Sequence, residues 1–262
     1  MRKPIFLLTN DDGIHVYFLH ALINALAIRG TVYVAAPKRE QSWIGKAVSR
    51  HREVQIREYN ELENCTAWEV DGTPSDAVNI ALGHLLPETP DVVVSGINVG
   101  WNAMVPIIYS SGTVSGALEG ASWGVPAVAL SMHLLHGDFE KIKRDPGTPP
   151  ASLKSYIDTS AELGARFAAE KAGEGNPRGE VYNVNFPCRP GTDTPWVATR
   201  PGRIPFDSLF TQTSPGVFNF QYHERHPQEP EGPLPGDFQT LSNGKISVSI
   251  LNFNDLGKEF SI

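Results

Sequence analysis

Hydrophobic positions along the chain alternate between two spacings. An apolar run at Ile5 to Thr9 gives way to Leu19, Leu22, Ile23 and Leu26, which have the i, i+3, i+4, i+7 spacing of a helix stripe. Gly30 closes that helix, and residues 31–36 are apolar again. Strand, helix and strand in this order predict a βαβ unit. Its right-handed crossover makes the strands parallel and places the loops that follow them on one edge of the sheet. The loops at residues 10–13 and 37–42 are therefore expected to be neighbours.

Residues 54–59 and 66–70 predict a hairpin outside the main sheet. Thr73-Pro74-Ser75-Asp76 has the signature of a helix start, with Thr as N-cap, Pro in the first helical position and an acid at the third. That helix is predicted to reach about Leu86 and to bury Ala77, Ile80, Ala81 and Leu85. Residues 91–95 form a third buried strand, whose loop begins Gly96-Ile97-Asn98 and falls on the same edge. A small-residue helix from Ser111-Gly112-Thr113 through Ala121 is stopped by Gly124, and residues 125–131 are a fourth strand. The pattern is α/β and doubly wound. Further on, residues 151–172 predict a long amphipathic helix, 180–186 a strand and 245–253 a final alternating strand. Residues 206–240 are proline-rich, aromatic and without period, as in an extended arm or β-hairpin insertion. One domain is expected over 1–262, with a core at 1–135 that carries the site. The C-terminal part, 136–262, carries the arm at about 204–240.

Composition narrows the function classes. The chain has 262 residues, 40% of them apolar, yet no apolar run approaches the roughly 20 residues of a membrane helix. The apolar stretch behind Met1-Arg2-Lys3-Pro4 is too short for a signal-peptide core, so a cytoplasmic location and no membrane partner are expected. Cys65 and Cys188 are the only cysteines, too few for a disulfide framework or a thiolate metal site. A net charge of −7 argues against nonspecific nucleic-acid binding but is compatible with a small phosphorylated substrate.

Candidate chemistry gathers at the strand ends. Asn10-Asp11-Asp12-Gly13 sets two adjacent carboxylates where a strand gives way to a helix, and such a pair is costly unless a cation joins it. Oxygen donors without a nearby cysteine favour Mg²⁺, Mn²⁺ or Ca²⁺ over zinc. Ser42 and Asn98 supply a hydroxyl and an amide oxygen from the neighbouring loops, so four oxygen donors can surround one ion. The same residue types also serve as ordinary turn and cap formers. Ser111, Gly112 and Thr113 at a helix start offer N–H groups and hydroxyls to a phosphate, or simply cap the helix. His15 lies near the acidic loop as a candidate general acid, whereas His20 reads as a helix-surface residue. Lys38 and Arg39 read as solvated, and His223 and His226 in the arm read as structural.

The segments LLTNDDG, APKREQSWIG, VDGTPSDAVNIAL, DVVVSGINVG and SSGTVSGALEGASWGVPAVALS together resemble the ordered signatures of the SurE family of survival proteins. They cover residues 5–131 almost continuously, and YNVNFP and GDFQTLSNGKISVSIL extend the similarity. The resemblance implies a Rossmann-like, mostly parallel sheet and a homodimer or homotetramer. It further implies metal-dependent hydrolysis of nucleoside 5'- or 3'-monophosphates, sometimes with polyphosphatase activity. Carried over residue by residue, it implies Asp11, Asp12, Ser42 and Asn98 as metal ligands, with Asp11 and Asn98 catalytic. This chain has His15-Val16-Tyr17-Phe18 where members commonly have His-Ala-Pro-Gly. The altered segment leaves a rival reading, a nucleotide- or metabolite-binding protein without turnover, and a different small phosphate ester is a second alternative. A dinucleotide dehydrogenase is disfavoured, because two carboxylates stand where a pyrophosphate would bind and no GxGxxG follows the first strand.

Overall fold

The computed structural model describes residues 2–176, 179–205, 207–222, 228 and 230–253. Its strands are β1 (Ile5–Thr9), β2 (Thr31–Pro37), β3 (Ile56–Glu58), β4 (Thr66–Val70), β5 (Val92–Val99), β6 (Ala127–Met132), β7 (Glu180–Phe186), β8 (Trp196–Ala198), β9 (Phe210–Ser214), β10 (Val217–Phe220) and β11 (Ile246–Asn252). Nine of them make one sheet in the order β3-β4-β2-β1-β5-β6-β7-β11-β8, and β9 with β10 forms a separate hairpin. The run from β4 to β7 is parallel throughout; β3 and β11 join it antiparallel, at opposite ends. Strands in the middle of such a sheet are covered on both faces, which is why β1 and β6 are buried at every residue.

The helices are α1 (Tyr17–Ala27), α2 (Pro74–Ile80), α3 (Val105–Ser110), α4 (Gly112–Ser122), α5 (His136–Arg144), α6 (Ala151–Lys171) and α7 (Asp237–Ser242); a π-turn at Ala81–Leu85 prolongs α2. Successive β1 side chains separate the two layers. Phe6 and Leu8 pack with α1 and α6, whereas Leu7 packs with Ala77 and Val78 of α2. That alternation across one strand is the doubly wound arrangement in physical form. At the α2 start, Thr73 Oγ1 accepts the Asp76 N–H at 3.1 Å and Asp76 Oδ2 accepts the Thr73 N–H at 2.9 Å. The capping box expected from the sequence is thus complete, and such caps are typically worth ~1 kcal/mol.

Some expectations change. The hairpin of residues 54–59 and 66–70 is not outside the main sheet: β4 pairs in parallel with β2 from Tyr33↔Thr66 to Pro37↔Val70. Without it the edge of β2 would present unpaired backbone groups. Elements α3, α5, α7 and β8 were not predicted. The arm does contain a hairpin, β9–β10, but the aperiodic stretch ends at α7. Phe206, His223 and His226 lie outside the described residues. Among those described, no helix is long and apolar enough to cross a membrane.

Candidate active site

The loop after β1 is shaped by its own side chains. Asn10 is fully buried and brackets the turn: its Oδ1 accepts the Gly13 N–H at 3.3 Å and its Nδ2 donates to the Gly13 carbonyl at 2.9 Å. Gly13 has φ +102°, a conformation in which a side chain would be strained. Two backbone bonds then join this loop to the one after β2. Ile14 N–H donates to the Pro37 carbonyl at 2.9 Å and Gln41 N–H to the Asp11 carbonyl at 2.7 Å. The predicted neighbourhood of these loops is therefore present.

Asp11 is buried, and the Thr113 hydroxyl donates to its Oδ1. Gly112 lies so close that a Cβ there would sit 2.7 Å from Asp11 Cβ. Burial pushes the Asp11 carboxyl up to about 6, although hydrogen bonds from Thr113 work in the other direction. Half-buried Asp12 is tied through Oδ2 to the Val99 N–H at 2.8 Å. Burial, and next the charge of Asp11, hold its carboxyl well above the usual range. Asn98 arrives from β5 just after a break in the β5–β6 register between Ser95 and Asn98. Such an irregularity re-aims side chains at the strand end. Gly96 is needed there because a Cβ would lie 2.3 Å from the Leu130 carbonyl oxygen. The Asn98 Nδ2 donates to the Gly100 carbonyl at 2.8 Å, which orients its amide.

Asp11, Ser42 and Asn98 line one chamber of about 590 Å³. Asp12 is not among its lining residues, but its partner Val99 is. Among the described residues no three His, Cys, Asp or Glu side chains cluster as a metal site. The donor set here is different in kind: two carboxylates with a neutral amide and a hydroxyl. It fits a hard divalent cation, because a buried and a half-buried carboxylate whose proton affinity is raised gain most from a shared positive charge.

The wall from α5 and the end of β6 is not marked by any sequence motif. Lys143, His136 and Phe139 reach it from α5, and His133 follows β6. Lys143 is the only Lys or Arg among the described lining residues. A signal for α5 existed: Asp138 stands in its first turn and Lys141, Lys143 and Arg144 in its last, matching the helix dipole. Asn102, also in the lining, is fixed by a buried network. Its N–H donates to Asn185 Oδ1 at 2.8 Å, its Nδ2 to Ser131 Oγ at 2.9 Å, and its carbonyl accepts from Asn183 Nδ2 at 2.7 Å.

Other candidates are placed elsewhere or have prior engagements. Ser111 lines the chamber, but its Oγ accepts the Val114 N–H at 3.0 Å as the cap of α4. Gly112 and Thr113 face Asp11 instead. His15 is not a lining residue: its Nδ1 is 3.0 Å from Tyr59 Oη and its Nε2 3.7 Å from Glu69 Oε2. Lys38 also contacts Glu69, at 3.7 Å. The His20 ring, expected on the helix surface, is half-buried and bonds to the Ile14 carbonyl at 2.9 Å.

A doubly wound, mostly parallel sheet, with a chamber lined by Asp11, Ser42 and Asn98 at the carboxyl ends of its strands, defines a Rossmann-like α/β protein. The residue profile of a family described as survival protein SurE matches residues 6–206, and the chain belongs to the SurE family. It is 52% identical over 248 residues to a 5'-nucleotidase SurE of Desulforudis audaxviator, covering 93% of this chain and 89% of that one. Identity to a 5'-nucleotidase SurE of Geobacter sulfurreducens is 35% over 254 residues, or 95% and 87% of the two chains. The crystal structure of the SurE protein from Aquifex aeolicus superposes with a TM-score of 0.73 at 28% identity, covering 97% of this chain and 95% of that one.

Proposed function

We propose that this chain is a divalent-metal-dependent phosphomonoesterase that releases phosphate from nucleoside 5'-monophosphates. The observation that carries the reading is the convergence of Asp11, Ser42 and Asn98 on one chamber, with Asp12 anchored beside it. The names of the relatives support nucleotides as the substrate class. Asp11, Asp12, Ser42 and Asn98 would hold Mg²⁺ or Mn²⁺. When bound, the ion supplies Lewis-acid charge to a phosphoryl oxygen.

The chain's own residues do the rest. Thr113 holds the Asp11 carboxylate in one orientation, and the Val99 N–H does the same for Asp12. Lys143 provides a positive side chain to an incoming phosphate dianion, which the Asp11 carboxylate alone would repel. Ser111 presents the first turn of α4 to the chamber. A water molecule adds to phosphorus as the ester P–O bond breaks, leaving phosphate and a nucleoside alkoxide; the water gives up a proton and the alkoxide takes one, for which His133 and His136 are in the chamber, whereas His15 is outside.

Phosphate release from a panel of nucleoside 5'- and 3'-monophosphates, ribose 5-phosphate and polyphosphate, with and without Mn²⁺ or Mg²⁺, tests the reading. Metal-dependent release from the 5'-nucleotides is expected. Tight nucleotide binding without turnover in any metal would favour the binding-protein alternative.

A further inference from the structure

Trp43 adjoins Ser42 and has φ +61°. A bulky side chain in this left-handed region is an outlier, and such residues collect where function fixes the backbone. Burial does not account for Trp43, which is 37% exposed. Its ring is instead packed against the arm, 5.1 Å from the Phe220 ring in an edge-on contact and 5.6 Å from that of Tyr222. Phe210 supports Phe220 in turn, at 6.0 Å. Trp43, Phe220 and Tyr222 all line the chamber that holds Asp11 and Ser42. About 590 Å³ is the size of a drug-like ligand site, larger than a phosphate group alone requires.

We propose that Trp43, with Phe220 and Tyr222 carried in by the β9–β10 arm, is the stacking platform for the substrate's nucleobase. The arm is then a specificity element of the site, not only a surface extension. This inference rests on the nucleotidase reading for its substrate. The chemistry is that of a flat, polarisable ring meeting an aromatic cluster, which tolerates different bases and favours purines by their area.

The test uses the full chain and two readouts. Adenosine binding is measured by calorimetry for wild type, Trp43→Gly, Phe220→Ala and Phe220→Tyr, each checked by circular dichroism. For the same proteins kcat/KM is measured with AMP and with ribose 5-phosphate, which has no base. Losing one stacking partner should weaken adenosine binding about tenfold. It should also lower the ratio of kcat/KM for AMP to that for ribose 5-phosphate by a similar factor, mainly through KM. Phe220→Tyr should restore both. Equal losses on the two esters would show that these rings merely support Ser42 and would overturn the platform, as would unchanged adenosine binding. If wild type hydrolyses neither ester, the nucleotidase reading fails, while adenosine binding by the four proteins still decides the platform.

Discussion

The Asp12 carboxylate accepts a hydrogen bond of 2.8 Å from the backbone N–H of Val99, 87 positions away in the chain. This bond fastens the acidic loop after β1 to the end of β5 one residue beyond Asn98. A hydrogen bond to a charged group is among the stronger kinds, ~1.5–3 kcal/mol net. The geometry of the donor set therefore depends on the sheet edge itself and not on the flexibility of separate loops.

Asp11→Asn is expected to abolish turnover without lowering the stability of the metal-free protein. An amide oxygen can still accept from Thr113, while the repulsion between adjacent acids and the cost of burying one of them disappear. With metal present the order reverses, since a hard cation binds a dipole less tightly than a full charge. Melting temperatures of wild type and variant in chelator and in Mn²⁺ separate the two effects. A variant that melts well below wild type in chelator would mean that Asp11 chiefly ties the loop.

The same pair gives the metal-free protein an unusual pH dependence. Asp11 moves from 3.8 to about 6 on folding, and Asp12 shifts in the same direction. Between these values the folded state binds more protons than the unfolded state, so this contribution to stability is largest below pH ~4 and is lost as pH rises through ~6. In chelator, raising the pH from 4 to 6.5 should therefore remove stability contributed by these residues, and Asp11→Asn should flatten the trend. Saturating Mn²⁺ should oppose it, because metal binding requires the deprotonated pair. Metal affinity that rose on acidification would contradict this account.

Asp237 ties the C-terminal half to the start of α3. Fully buried, it accepts backbone N–H groups from Met104 at 2.7 Å, Gly202 at 3.0 Å and Phe238 at 2.8 Å. Asp237→Ala leaves three donors without their acceptor, at ~1–3 kcal/mol each, so a loss of at least ~3 kcal/mol is expected. For a chain of this size that is a fall of roughly 6–12 °C in Tm. An unchanged Tm would show that water replaces the carboxylate.

The arm exposes Phe210, Val217 and Phe218 at 51–56% of their surface. Contiguous apolar surface of this kind marks a contact site, and we expect it to pack on another copy of the chain. Phe218→Glu should shift sedimentation toward the monomer while the core Tm is preserved. A wild-type monomer at micromolar concentration would dispose of the idea.

How much of this could be read from the sequence follows physical lines. Buried parallel strands have near-continuous apolar runs, so β1, β2, β5, β6 and β7 and the loops behind them were predictable, and with them the placing of Asp11, Asp12, Ser42 and Asn98. The alternating pattern of the β3–β4 hairpin fits either an edge strand or a free ribbon, so it does not by itself seat the hairpin against β2. Helix α5 buries only Ile142, too few apolar positions to show a period. Lys143 and His136 share that silence, since they reach the chamber only through α5. The engagement of Thr113 with Asp11 spans 102 positions and depends on how α4 packs against β5 and β6, which no local pattern encodes.

Gly112→Ala tests that packing with two opposing terms. Alanine favours helix over glycine by up to ~1 kcal/mol in a helix interior, and less at the first position of α4. Against this, the new Cβ would lie 2.7 Å from Asp11 Cβ, 2.8 Å from Asp11 Oδ2 and 3.1 Å from the Gln41 carbonyl oxygen. Asp11 Cβ is fixed by a backbone whose own carbonyl accepts the Gln41 N–H at 2.7 Å, so the Asp11 side chain cannot swing aside without moving both loops. Overpacking of this kind typically costs ~1–3 kcal/mol, which outweighs the gain in propensity. The expected result is a modest fall in Tm in chelator, with a loss of at least tenfold in Mn²⁺ affinity and in kcat, because the displaced group is the proposed ligand. A variant with wild-type metal affinity would show that α4 can withdraw from the acidic loop, and that contact between Gly112 and Asp11 does not position the carboxylate.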